Sequence, residues 1–123
     1  MGIFTFYGMD MSYRKPSEEL LELLEESLIE VPFVRKKMFG QYAFFLNGNM
    51  FAGVFEDSVF IRYPPEQQDS LKEMYDEISN FEPLKGRPMR EYVVIPDAIF
   101  SDDEVRFNLL ETCVQFALQL PPK

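Results

Sequence analysis

Lys37-Met38-Phe39-Gly40-Gln41-Tyr42-Ala43-Phe44-Phe45-Leu46-Asn47-Gly48-Asn49-Met50-Phe51-Ala52 is the stretch that decides the fold. Asn47-Gly48 is the pair that a two-residue type I′ hairpin turn demands, because both central residues need a positive φ. Apolar runs flank it, so residues 42–46 and 50–56 read as two antiparallel strands. Outward from the hairpin, a second reversal at Asp57-Ser58 leads to a strand over 59–63. Residues 34–39, ahead of Gly40, read as a short strand or the lead-in to one.

Helical spacing takes over on both sides. Upstream, Ser17 is placed to cap a helix whose apolar stripe is Leu20, Leu21, Leu24 and Leu28, with Glu18 and Glu19 at the positive end of its dipole and Pro32 as its stop. Downstream, Pro64-Pro65 opens a second helix, with Leu71, Met74, Tyr75 and Ile78 at helical intervals. Strands over 81–84 and 90–95 follow around the turn Lys85-Gly86-Arg87-Pro88. A last helix is expected from the capping-box pair Ser101 and Glu104, burying Val105, Leu109, Cys113, Phe116 and Leu120. The expected architecture is α+β, in the order α-β(3)-α-β(2)-α, with a five-stranded antiparallel sheet and packed helices. Residues 1–11 read as an irregular extension, 12–120 as the domain and 121–123 as a tail.

A two-residue loop at Asn47-Gly48 sets Phe45 opposite Met50, Phe44 opposite Phe51 and Ala43 opposite Ala52. One sheet face then carries Tyr42, Phe44, Leu46, Phe51, Phe55 and Phe60. The other carries Ala43, Phe45, Met50, Ala52, Val54, Val59 and Ile61. Both are apolar, whereas a sheet with one wet face alternates polar and apolar residues. Two arrangements satisfy this pattern. Either helices cover both faces, or they cover the aromatic face and Phe45, Met50, Val54 and Ile61 form an interface for a protein partner or a second copy.

Composition closes several function classes. The chain contains no histidine, which removes Ser-His-Asp and Cys-His nucleophile arrangements and nearly all zinc sites. No Asp-rich calcium loop and no phosphate-binding glycine loop is present, and the Asp102, Asp103 and Glu104 cluster is explained by helix capping. No catalytic group, metal or cofactor is therefore expected. The single cysteine, Cys113, reads as a small core residue and fits a reducing compartment, so a cytoplasmic location is expected. No apolar run is long enough to cross a membrane as a helix. A net charge of −9 argues against nonspecific nucleic-acid binding. The acids concentrate in the first helix, however, while the strands and their ends hold Arg35, Lys36, Lys37, Arg62, Lys85, Arg87 and Arg90. These cations read as solvated gatekeepers of strand edges, with a local nucleic-acid or acidic-partner surface as the alternative.

The run 37–52 resembles the hallmark of the TfoX (Sxy) N-terminal domain, in which a Met-Phe-Gly-x-Tyr segment leads through a hairpin turn to Met-Phe-Ala. Lys85-Gly86-Arg87-Pro88, then Glu91-Tyr92 and Ile95-Pro96, is similar to a second block of that family. The resemblance covers roughly residues 12–120. It implies a secretion-chaperone-like domain of a type that often dimerises, and regulators of natural competence that act as transcriptional coactivators. It brings no catalytic residues. The function expected is regulation or adaptation through protein contact.

Overall fold

The computed structural model describes residues 13–123, so the expected extension over 1–11 lies outside the described residues. The elements run α1 (Glu18–Ser27), β1 (Val34–Met38), β2 (Gln41–Leu46), β3 (Asn49–Phe55), β4 (Ser58–Arg62), α2 (Pro65–Met74), β5 (Ser79–Leu84), β6 (Arg87–Pro96), α3 (Asp97–Phe100) and α4 (Asp103–Leu118). The strands form one antiparallel sheet in the order β1-β2-β3-β4-β6-β5. The α+β class is as expected, but the sheet has six strands, not five. The sixth is β1, all of whose side chains are exposed. It lacks the alternation that burial imposes, and backbone pairing with β2, from Val34↔Phe45 to Met38↔Gln41, holds it in place.

Each helix is built as its sequence requires. The Ser17 Oγ accepts from the Leu20 amide, and Leu20, Leu24 and Leu28 turn inward. α2 starts with proline at its first position, where no backbone donor is needed. The α4 cap is Asp102, whose carboxylate accepts from the Val105 amide at 3.0 Å. Ser101 ends the short α3 instead, donating to the Asp97 carbonyl at 2.7 Å. The buried stripe of α4 is Leu109, Leu110, Cys113 and Ala117, so Phe116 and Leu120 are only partly buried.

All four helices contribute to one core, packed against Phe44, Leu46, Phe51, Ala52, Val54, Val59, Ile61, Val93 and Ile95. A second cluster on the opposite face, Ala43, Phe60, Phe81 and Tyr92 with Phe45, Met50 and Phe55 around it, contains no helical residue. The face assignment expected from simple alternation is overturned here. The pairing starts as Leu46↔Asn49 and Phe45↔Met50, then slips to Phe44↔Ala52, Ala43↔Gly53 and Tyr42↔Val54. Phe51 is the extra residue of a β-bulge, so Phe51 and Ala52 both point to the helices and every later residue of β3 changes side. The carbonyl that the bulge leaves outside the ladder accepts the Cys113 thiol at 3.2 Å. The reversal between β3 and β4 is also one residue earlier than expected: Phe55 pairs with Ser58 across Glu56-Asp57.

A larger irregularity lies between β5 and β6. Asn80 pairs with Val93, but Phe81 pairs with Met89, so Arg90 to Tyr92 bow out of register. Buried Gln68 donates to the carbonyls of Tyr63 and Arg90, and Asn80 donates to those of Arg90 and Tyr92. Two side-chain amides thus satisfy the carbonyls that the bulge frees, which would otherwise each cost about 1–3 kcal/mol.

Two outcomes follow from the core. Gly53 lies under the Phe60 ring and the Tyr42 carbonyl, in space that a Cβ would need. Gly53→Ala is expected to lower stability by about 3 kcal/mol in urea unfolding, since backbone as well as ring must shift. Burial pushes the Cys113 thiol up to about 12 from its ordinary 9.0. Between those values the unfolded chain releases a proton that the folded chain retains, so stability falls as pH rises. From pH 8 to 10.5 the thiol accounts for a loss of about 2 kcal/mol. Cys113→Ala should flatten the urea-derived stability profile by that amount.

Candidate functional site

The sheet face without helices is not flat. Phe60 lies over Gly53, where no Cβ holds it off, and stacks on Phe81 with centroids 4.4 Å apart and planes within 2°. Phe81 meets Phe55 edge-on at 5.3 Å, and Phe55 meets Tyr13 edge-on at 4.8 Å. The Tyr13 hydroxyl donates to the Pro83 carbonyl at 2.9 Å. This chain of rings draws the β5–β6 hairpin toward the face of β2–β4. The bulges in β3 and β6 supply the added twist that such bending needs.

The result is an open apolar groove of about 290 Å³. Its floor is Ala43, Met50 and Phe60. Met38 and Phe39 of the β1–β2 turn form one wall, and Pro83, Leu84 and Met89 of the β5–β6 hairpin form the other. β1 and β5 are the two opposite edges of the sheet, yet the curl brings their hairpins to one cleft. The floor offers methyl and aromatic surface. Gln41, the side-chain amide among the lining residues, is occupied at both ends, donating to the Arg14 carbonyl and accepting from the Glu56 amide, each at 2.8 Å. Among the described residues the lining presents apolar surface and no set of convergent polar groups.

The residues expected at an interface divide between the two faces. Phe45 and Met50 are half-buried on the groove side. Val54 and Ile61 are fully buried against the helices, because the bulge at Phe51 reverses their parity. They are core residues and are unavailable to a partner.

The cations also separate. Arg35 pairs with Glu25 on α1, and Arg35 and Lys37 lie over the Tyr42 ring at 4.9 and 5.8 Å. Lys36 lies on the other side of β1, over Phe45 at 4.9 Å. Lys85, Arg87 and Arg90 are exposed on the β5–β6 hairpin. Among the described residues Lys36, Lys37, Lys85, Arg87 and Arg90 form no ion pair. Also among the described residues, no group of three or more Cys, Asp and Glu side chains converges as a metal site would.

Phe39, Leu84 and Met89 are not legible as site residues from periodicity, since Phe39 sits in a turn and Leu84 and Met89 lie in strands whose pairing slips out of register. One signal was present in the sequence. Phe39-Gly40 occupies a two-residue turn with φ of 53° and 79°, the type I′ geometry that Asn-Gly, Asp-Gly or Gly-Gly normally fills. Phe39 is nevertheless 71% exposed, so no packing against the protein repays its left-handed backbone. Such strain costs about 1–2 kcal/mol for a residue with a Cβ. Phe39→Asn should accordingly raise the unfolding free energy by about 1 kcal/mol, measured by urea titration. A decrease would mean that the ring is a structural contact after all.

The TfoX N-terminal domain model matches residues 22–117, from within α1 to the last turn of α4. Compared with curated proteins and with solved structures, the chain gives no match. No helix among the described residues is long and apolar enough to cross a membrane. On the match over most of its length, and with both motif blocks lying in the hairpins that flank the groove, the chain belongs to the TfoX N-terminal domain family.

Proposed function

We propose that this chain is a non-enzymatic regulatory or adaptor domain that binds a partner protein through the sheet face its helices leave free. One observation carries the reading. Met38, Phe39 and Leu84 are 41%, 71% and 48% exposed, and all three line the same groove. Large apolar side chains gathered around a concave apolar floor are what a docking surface presents. Membership of the TfoX family supports a regulatory role, and the buried free thiol of Cys113 is compatible with the cytoplasm. A second copy is a further candidate for the same face.

A nucleic-acid-associated regulator is the second reading, favoured by the five cations that form no ion pair among the described residues. It predicts binding that weakens steeply with salt.

The tagged chain is used to capture partners from host lysate, with and without nuclease. Met50→Arg is expected to lose the partners that survive nuclease. Phe107→Ser, on the exposed outer side of α4, should retain them. If Met50→Arg captures the same proteins as wild type while remaining folded by circular dichroism, the face is not the interface. Partners lost on nuclease treatment favour the nucleic-acid reading.

A further inference from the structure

We infer that the groove receives an extended acidic peptide segment of a partner protein, seating an apolar side chain against Phe39 and Leu84 with carboxylates on either side. This rests on the interaction face proposed above and adds the chemistry of its ligand. Three observations combine. Phe39 holds a strained conformation that presents its ring to solvent at the groove wall. Strain of that kind persists where it serves a purpose other than stability.

The second observation is the distribution of charge. Lys36 pairs across the strands with Ala43 of the floor, so it stands on the groove side of β1. Arg87 pairs with Leu84, so it stands on the groove side of the opposite hairpin, with Lys85 beside it in the turn. Cations thus rise beside both walls, and among the described residues no Asp or Glu lines the groove, the nearby Glu82 carboxylate accepting from the Gly86 amide of its own hairpin. In a chain of net charge −9 this is a local reversal of sign.

The third observation is the floor itself, which separates the anionic ligands that such walls admit. A single-headed amphiphile neutralises one wall and leaves the other unpaired. A nucleic acid draws most of its affinity from phosphate neutralisation, which the overall negative charge opposes. A peptide draws affinity from its buried anchor and needs only local charge, because distant charges are screened beyond about 8 Å at physiological salt. Apolar floor and two cationic walls together match acidic residues flanking an aromatic or aliphatic one.

The experiment measures fluorescence anisotropy of a fluorescein-labelled peptide in which aspartates flank phenylalanine and leucine, titrated with the full chain. Binding should weaken at least tenfold in Phe39→Asn and in Lys36→Glu/Arg87→Glu. Phe39→Asn must melt no lower than wild type, so that its loss of binding is not unfolding. The same peptide with lysine in place of aspartate should bind at least tenfold more weakly than the original. Equal binding of the lysine peptide overturns the inference. So does binding of oligothymidylate or decanoate in the absence of peptide binding. Concentration-dependent self-association that Phe39→Asn abolishes assigns the groove to a second copy and also overturns it. If the acidic peptide fails while Met50→Arg still loses its captured partners, the acidic chemistry falls and the interaction face stands. If both fail, both readings fall.

Discussion

The contact between the Phe60 ring and the bare backbone of Gly53 is the constraint on which the second half of this structure depends. An aromatic ring can lie directly on a strand only where no Cβ intervenes. Once it does, its outer surface is a platform 4.4 Å beneath Phe81, and Phe81 brings β5 and β6 with it. Without that platform the face lacking helices would be a flat apolar sheet in water. With it, Phe60, Phe81 and Tyr92 are each less than 10% exposed although their cluster contains no helical residue. Stacking and edge-on aromatic pairs, worth about 0.5–1.5 kcal/mol each beyond area burial, do on this side what helices do on the other.

Irregular pairing is the second element of the design. A single extra residue at Phe51 changes which side of β3 is core, and it creates an unpaired carbonyl that the Cys113 thiol satisfies. The longer slip at Arg90 to Tyr92 frees carbonyls to which the Gln68 and Asn80 amides donate. Each bulge therefore has a dedicated buried donor. These donors explain why a polar residue such as Gln68 is only 5% exposed on a helix otherwise given to Leu71.

Stability and exposure pull in opposite directions at the groove wall. A turn that would be more stable with Asn at position 39 carries a solvent-facing ring instead. The acids of α1 and the cations of β1 and the β5–β6 hairpin are likewise kept apart, with Arg35–Glu25 as the one ion pair joining the two sets. Both features motivate the interaction face proposed above.

Local rules made much of the fold legible in the sequence alone. Asn47-Gly48 determined the central hairpin, Ser17 and the leucine spacing determined α1, Pro64-Pro65 determined the start of α2, and the motif blocks determined the family. The absence of histidine narrowed the chemistry before any geometry was known. Tertiary structure decided what alternation cannot: a bulge is invisible to a period-two pattern, so Val54 and Ile61 read as a surface and are core. It also decided the site, because the groove joins β1 and β5, strands at opposite edges and about fifty residues apart in the chain. Their meeting depends on sheet curvature, a sum of bulges, ring stacking and one missing Cβ, and no local segment of sequence encodes that sum.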